Sequence, residues 1–315
     1  MHATKHIYIY RYDFTESDLA KLESRYIFNK EESNKLLISD IKVDPSTSAF
    51  IKKRLDIITC SNDYNVLIDQ IKAEDIRTDG FKVEYLILDG DTTRNTDRLE
   101  KVKDIGYCID TYPDYYNPTI TYGVCHHKGV WYFGVLIKNN FAWHKHKQKP
   151  HSYSNSIKMN IAKALVNIAT EAKEGEIILD GCCGVGTIML EACFAGVTIE
   201  GCDISWKTCK NARENLNHYD YVSQVYCSDI KDLKKRYDAI ILDLPYNLYT
   251  EATDSEILHI INSSAEISDR LVIVSTSDIT NLINAAGLEL SDYCNVSKRG
   301  KANFTRRIWI CKVVR

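Results

Sequence analysis

The chain has no apolar stretch approaching the length of a membrane span. Its start lacks the layout of a signal peptide, and residues 5–12 open directly as a strand-like alternation. An even cysteine complement is missing too. There are 11 cysteines, and Cys182, Cys183, Cys193, Cys202 and Cys311 lie inside core-like runs. That argues against a disulfide framework and predicts reduced thiols in a cytoplasmic protein. No Cys-x-x-Cys pair is matched by a second pair or by spaced histidines, so no metal is expected.

Acid is absent from two segments, although the net charge of the whole chain is only −3. Between Tyr115 and Thr170 there is no Asp or Glu, while Lys128, Lys138, Lys145, Lys147, Lys149, Lys158 and Lys163 occur there with five histidines. After Asp292 the acids stop again, and Lys298, Arg299, Lys301, Arg306, Arg307, Lys312 and Arg315 follow. Two cationic stretches on a near-neutral body predict a localised face for a polyanion.

What is present is organised in two halves. A length of 315 residues suits two domains, and the pattern changes near residue 150. Residues 1–150 read as a smaller α+β domain. Residues 15–28 predict a helix opened by a Thr15-x-x-Asp18 cap. Phe81, Val83, Tyr85 and Ile87 predict a half-buried strand. Runs 120–125 and 130–137 flank His126-His127-Lys128-Gly129 as a hairpin. The run 144–156 has no apolar period and reads as a linker or substrate-facing loop. Residues 151–315 alternate strand and helix, with strands expected at 176–179, 197–202, 224–227, 239–242 and 271–275. That alternation predicts a mostly parallel Rossmann-like sheet, finished by an antiparallel edge hairpin from runs 288–296 and 304–313.

The chemistry concentrates at the ends of these strands. Asp180-Gly181-Cys182-Cys183-Gly184-Val185-Gly186-Thr187 breaks an apolar strand into a glycine loop and then opens a helix. Asp203 ends the next strand about twenty residues on, where a carboxylate can take two ribose hydroxyls. Asp229 ends the third, near where an adenine amino group would lie, with Ile204 and Ile230 available to sandwich the ring. A nicotinamide or flavin site would want Gly-x-Gly-x-x-Gly, but the third glycine position holds Met189. An acid just before the glycines would repel a pyrophosphate and suits the cationic methionine end of S-adenosylmethionine. A ligand-free tight turn is the plainer alternative.

Asp243-Leu244-Pro245-Tyr246 ends the fourth strand. An exocyclic base amine is a poor nucleophile because its lone pair is delocalised into the ring. Acceptors for the amine hydrogens turn that lone pair toward an incoming methyl group. Asp243 supplies one acceptor, the backbone carbonyl of Leu244 or Pro245 a second, and Tyr246 a ring for stacking. Transfer then rests on alignment rather than on a general base.

The two motifs resemble those of the tRNA guanosine N2-methyltransferase family. So do the approach Lys149-Pro150-His151-Ser152-Tyr153-Ser154 and the helix around Ala162–Ala169. The family carries Asp-Pro-Pro-Tyr, whereas this chain has Leu244 at the first proline. The resemblance implies S-adenosylmethionine as cofactor and a guanosine of tRNA as substrate. It also implies an RNA-binding N-terminal half of THUMP or ferredoxin-like type, and some relatives take a small activator subunit. By resemblance and charge, Lys145, Lys147, Lys149, His151, Arg299, Lys301 and Arg306 would border the substrate. Two other functions fit the same residues: N6-adenine methylation of DNA or ribosomal RNA, and a non-catalytic RNA-binding relative.

Overall fold

The computed structural model describes residues 5–153, 156–245, 252–297 and 305–314. In chain order the elements begin with β1 (His6–Tyr10), α1 (Ser17–Phe28), β2 (Leu36–Ser39), β3 (Ile51–Ser61), α2 (Tyr64–Ala73), β4 (Phe81–Tyr85) and α3 (Asn95–Gly106). There follow β5 (Ile120–His127), β6 (Val130–Lys138), α4 (Met159–Thr170), β7 (Ile177–Asp180), α5 (Thr187–Phe194), β8 (Thr198–Asp203), α6 (Trp206–His218) and β9 (Val225–Cys227). The chain closes with β10 (Ala239–Asp243), α7 (Asp254–Ile267), β11 (Arg270–Ser275), α8 (Thr280–Ala285), β12 (Leu288–Ser297) and β13 (Thr305–Val313). No helix among the described residues is long and apolar enough to cross a membrane.

These elements form two units. The first comprises Met1–Arg11 and Glu32–Asn140, and the second Tyr12–Glu31 and Phe141–Arg315. The sequence reading divides the chain at 150 and leaves residues 12–31 in the N-terminal half. The structure moves the division ten residues earlier, to 140, and gives α1 to the second unit. The reason lies in the polar groups of α1. Fully buried Glu23 accepts from the side-chain amide of Asn167 on α4 at 2.7 Å. Arg25 donates two bonds of 2.9 Å to the carboxylate of Asp292 on β12. Buried Leu19, Leu22 and Ile27 complete the apolar face of α1. Its start also differs from expectation. Asp13 caps a 3-10 turn over Phe14–Glu16, accepting from the Thr15 amide at 3.1 Å, and α1 follows from Ser17 with no side-chain cap bond of its own.

The first unit is a six-stranded sheet in the order β2-β1-β3-β6-β5-β4, with β4 and β5 parallel and the other pairs antiparallel. Leu67 and Ile71 of α2 and Ile105 of α3 pack with Phe81, Val83, Tyr122, Val124 and Phe133 of the sheet. The expected hairpin is present, turning at Lys128 and Gly129, both at positive φ (48° and 79°). Two consecutive positive φ values make the tight turn whose twist matches paired strands.

The second unit is a seven-stranded sheet in the order β12-β13-β11-β10-β7-β8-β9. Strands β9, β8, β7, β10 and β11 are parallel, and β13 and β12 are antiparallel to their neighbours. The order reverses direction between β7 and β10. In open α/β sheets, ligands bind in the crevice outside such a switch point, at the carboxyl ends of the strands. Strand β10 (Ala-Ile-Ile-Leu) is fully buried up to Asp243, as a strand with helices on both faces must be. The tip of the β12–β13 hairpin, residues 298–304, lies outside the described residues.

Candidate active site at the switch point

The glycine loop is built by its neighbours. Gly181 donates to the Ile241 carbonyl on β10 at 2.9 Å, and Cys183 to the Cys202 carbonyl on β8 at 2.9 Å. The loop is thereby stitched to the strands on either side of β7. Gly184 and Gly186 then take φ of 52° and 77°, a left-handed backbone that strains other side chains. A Cβ at Gly184 would meet nothing within 4 Å, so this glycine leaves open room above the loop. Gly186 directly precedes α5, whose first residue, Thr187, is 4% exposed.

Four carboxylates end the strands around this loop. Asp180 is 1% exposed, and one of its oxygens has no hydrogen-bond partner. Burial first, and then the nearby Asp243 and Asp203, push its carboxyl well above the usual range. Asp203 accepts from the Gly184 amide at 3.0 Å, the Ser205 amide at 2.8 Å and the Thr208 hydroxyl at 2.9 Å. It therefore ties the loop to α6. A carboxylate offers about four lone-pair sites, so capacity for a ligand hydroxyl remains. Asp229 meets His259 of α7 at 3.2 Å, a partner with no signal in the sequence. Burial raises its carboxyl, but the Lys231 amide and His259 outweigh that and hold it low.

The two expected ring-sandwiching residues differ in exposure. Ile204 is 79% exposed, whereas Ile230 is 4% exposed and belongs to the core cluster beneath the loop. Its Cδ1 would stand 2.9 Å from a Cβ on Gly181, and Leu242 Cδ2 2.6 Å from the same atom. Ile230 is thus a floor under Gly181. Cys182 lies in the same loop, its thiol pushed well up by burial and then by Asp203, Asp180 and Asp243.

Asp243 stands at the end of β10, two residues beyond Ile241, the partner of Asp180. One of its carboxyl oxygens is buried without a partner. Burial pushes its carboxyl up to about 7, with Arg306 opposing. Leu244 is 1% exposed in the core, and its amide donates to the Val274 carbonyl at 2.9 Å, a bond a proline there could not make. Pro245 is exposed, and Tyr246 lies outside the described residues.

Two of the cations expected at a substrate face are elsewhere. Arg306 is 6% exposed. In register, Asp243 neighbours Val274 and Val274 neighbours Ile308, so Arg306, two residues from Ile308, points to the same sheet face as Asp243. It is a counter-charge to Asp243 inside the domain and not part of a surface stripe. Lys149 is also turned inward, its ammonium donating to the Thr187 hydroxyl at 2.5 Å. Lys145 and Lys147 are exposed. The ring of His151 pairs with Glu214. Arg299 and Lys301 lie outside the described residues.

The run expected as a linker or substrate-facing loop is in part a buried polar network. His146 and Glu191 are both fully buried and meet at 2.7 Å, and the other ring nitrogen of His146 meets the Tyr221 hydroxyl at 3.0 Å. Fully buried Asn215 of α6 accepts from the His151 amide at 2.8 Å. It donates to the carbonyls of His151 and Val185 at 2.9 and 2.8 Å. Of these, only His151 stands out in the sequence as a site candidate, and His146, Glu191, Tyr221 and Asn215 do not. The one available signal was a polar residue on the apolar side of an amphipathic helix.

Comparison with known proteins adds the following. Residues 147–289 match the UPF0020 methyltransferase domain, described as RMKL-like. A tRNA (guanine(10)-N2)-dimethyltransferase of Methanothermobacter thermautotrophicus is 37% identical over 117 residues, which is 36% of this chain and 34% of that protein. One of the same description from Methanocaldococcus jannaschii is 27% identical over 279 residues, 82% of this chain and 78% of that protein. The crystal structure of TrmN from Thermus thermophilus shares 15% identity, covering 98% of this chain and 100% of that one with a TM-score of 0.49.

Proposed function

We propose that this chain is a tRNA guanine N2-methyltransferase that methylates the exocyclic N2 amine of a tRNA guanosine, a reading supported by its likeness to the UPF0020 methyltransferase domain and to tRNA (guanine(10)-N2)-dimethyltransferases. The observation that carries the reading is the pair of buried, unpartnered carboxyl oxygens of Asp180 and Asp243 at the switch point. Buried polar groups normally have partners, so two orphans at adjacent strand ends point to ligands that supply donors.

The residues fit S-adenosylmethionine. Bound there, it would supply an electrophilic methyl group. Asp180 would face the cationic amino-acid end, Asp203 the ribose hydroxyls, and Asp229 the base, over the open space above Gly184. Asp243 accepts a hydrogen bond from the substrate amine, as the carbonyl of Leu244 or Pro245 does from the other side, and so turns the nitrogen lone pair toward the methyl group. Once the nitrogen carries positive charge, its proton is acidic and can pass to Asp243 or to water. Exposed Lys145 and Lys147 suit phosphates of the RNA. Eleven unpaired thiols suit a reducing cytoplasm.

The test is transfer of labelled methyl to unmodified tRNA transcripts, followed by nucleoside analysis. Label in N2-methylguanosine or its dimethyl form is expected. Label in N6-methyladenosine would overturn the choice of base. Cofactor binding with no transfer to any RNA would favour a non-catalytic RNA-binding relative.

A further inference from the structure

The switch point is rich in acid, which suits the ammonium and sulfonium groups of the proposed cofactor but not its own carboxylate. Lys149 is the cation held beside the glycine loop. Its ammonium donates to Thr187, the residue that opens α5 directly after the glycine loop. Thr187 and Glu191 are four apart on α5 and so share a face. One oxygen of fully buried Glu191 takes His146, and the other has no partner. Lys149 is therefore bonded to the hydroxyl beside the loop and not to the buried carboxylate one turn on. Thr187 is its single hydrogen-bond partner among the described residues, and two of its three donors are left for an anion. The segment that carries it is fixed. The Lys149 amide donates to His146, and both backbone groups of His151 are held by Asn215, which also holds Val185 of the loop.

We propose that Lys149 binds the carboxylate of the amino-acid end of the cofactor, completing with Asp180 a paired site for a zwitterion at the mouth of α5. The inference rests on the reading of the glycine loop as a S-adenosylmethionine site. It moves Lys149 from the RNA face to the cofactor. Burial already weakens the hold of Lys149 on its proton, bringing it down to about 8 with Glu191 opposing, and an anionic partner would relieve that cost.

The experiment compares two ligands on the full chain by calorimetry. S-adenosylhomocysteine carries the amino-acid end, and 5′-methylthioadenosine has the same nucleoside without it. Lys149→Met should weaken S-adenosylhomocysteine about tenfold to a hundredfold, the range for a hydrogen bond to a charged group. It should leave methylthioadenosine within about twofold, since that ligand lacks the carboxylate Lys149 would touch. Lys149→Arg should keep most of the affinity for both. Equal loss on both ligands would overturn the proposal and make Lys149 a support for α5, and so would no loss on either. Should Lys149→Met melt too low to titrate, Lys149→Gln carries the same comparison. If the unaltered chain binds methylthioadenosine but gains nothing from the amino-acid end, the Lys149 assignment falls while the nucleoside site stands. If it binds neither, the cofactor reading itself falls.

Discussion

Asn215 on α6 donates its side-chain amide to the carbonyl oxygen of Val185 at 2.8 Å, joining a helix to the inside of the glycine loop. With its two bonds to His151 it fixes the loop and the Lys149 segment as one frame. All three bonds are inside the domain, so loss of the amide strands three backbone groups. Asn215→Leu should therefore cost roughly 3 kcal/mol, at about 1 kcal/mol per bond with some partners left unsatisfied. Thermal unfolding measures the loss. Affinity for S-adenosylhomocysteine should fall in a fragment of variant that stays folded, and unchanged affinity would mean the loop holds its shape without Asn215.

Asp243 is expected to work as a carboxylate, because an ionised oxygen is the better acceptor for the substrate amine. Its carboxyl loses its proton near about 7, raised by burial. Activity should therefore climb with pH through that region and level off above it, read from kcat/KM between pH 5.5 and 9. Asp243→Ala should lower transfer at least about a hundredfold, the scale for one preorganised acceptor, with little change in affinity for S-adenosylhomocysteine, which lacks the sulfonium charge. A flat profile, or full activity in the alanine variant, would remove Asp243 from the reaction.

The same burial has a consequence for stability. In the unfolded chain this carboxyl ionises near the ordinary 3.8, and in the fold near about 7. The folded state binds the proton more tightly, so Asp243 favours folding at low pH and loses that contribution as pH rises between the two values. The difference corresponds to roughly 4 kcal/mol at 1.36 kcal/mol per pH unit. Asp243→Asn removes it. The variant should gain Tm relative to the parent at pH 8 and gain little at pH 4.5, in paired melting curves at each pH.

The sheet was legible because its strands are apolar runs that end in acids: β7 at Asp180, β8 at Asp203 and β10 at Asp243. Each acid is a polar residue at a core-like position, which only a strand end at a crevice tolerates. What could not be read was direction. Arg306 and Lys149 sit in cationic stretches that suggest a surface, and both turn inward, toward Asp243 and Thr187. Charge along a chain does not say which face a residue takes when a strand or a short turn carries it. Nor did α1 announce its unit, since the bonds from Glu23 to Asn167 and from Arg25 to Asp292 span 144 and 267 positions. Leu244 departs from the motif of the family the chain resembles, and the structure gives it a role in the core that the motif does not describe.

Cofactor binding should release protons. Asp180 and Asp243 both hold protons more tightly than ordinary carboxyls, for want of a partner in a buried place. A cationic ligand beside them favours their ionised forms. Calorimetry of S-adenosylmethionine at pH 6.5 in buffers of different ionisation enthalpy should give about one proton released per site or less, falling toward zero at pH 8.5 for the share owed to Asp243. Equal heats in all buffers at pH 6.5 would mean that neither carboxyl meets the cation.

Arg306 and Lys147 should behave oppositely although both are basic and both were expected at the RNA. Arg306 is buried on the sheet face that carries Asp243, and its guanidinium lowers the carboxyl that burial raises. Arg306→Met should push the rising limb of the pH–activity profile higher by about one pH unit, the smaller end of what an opposite charge does. Its effect on tRNA affinity should not depend on salt, because no phosphate contact is lost. Lys147 is exposed. Lys147→Ala should leave the pH profile in place, weaken tRNA binding, and reduce the dependence of log K on log salt by about one. A salt-dependent loss in Arg306→Met, with no movement of the profile, would return that arginine to the RNA and leave Asp243 without its counter-charge.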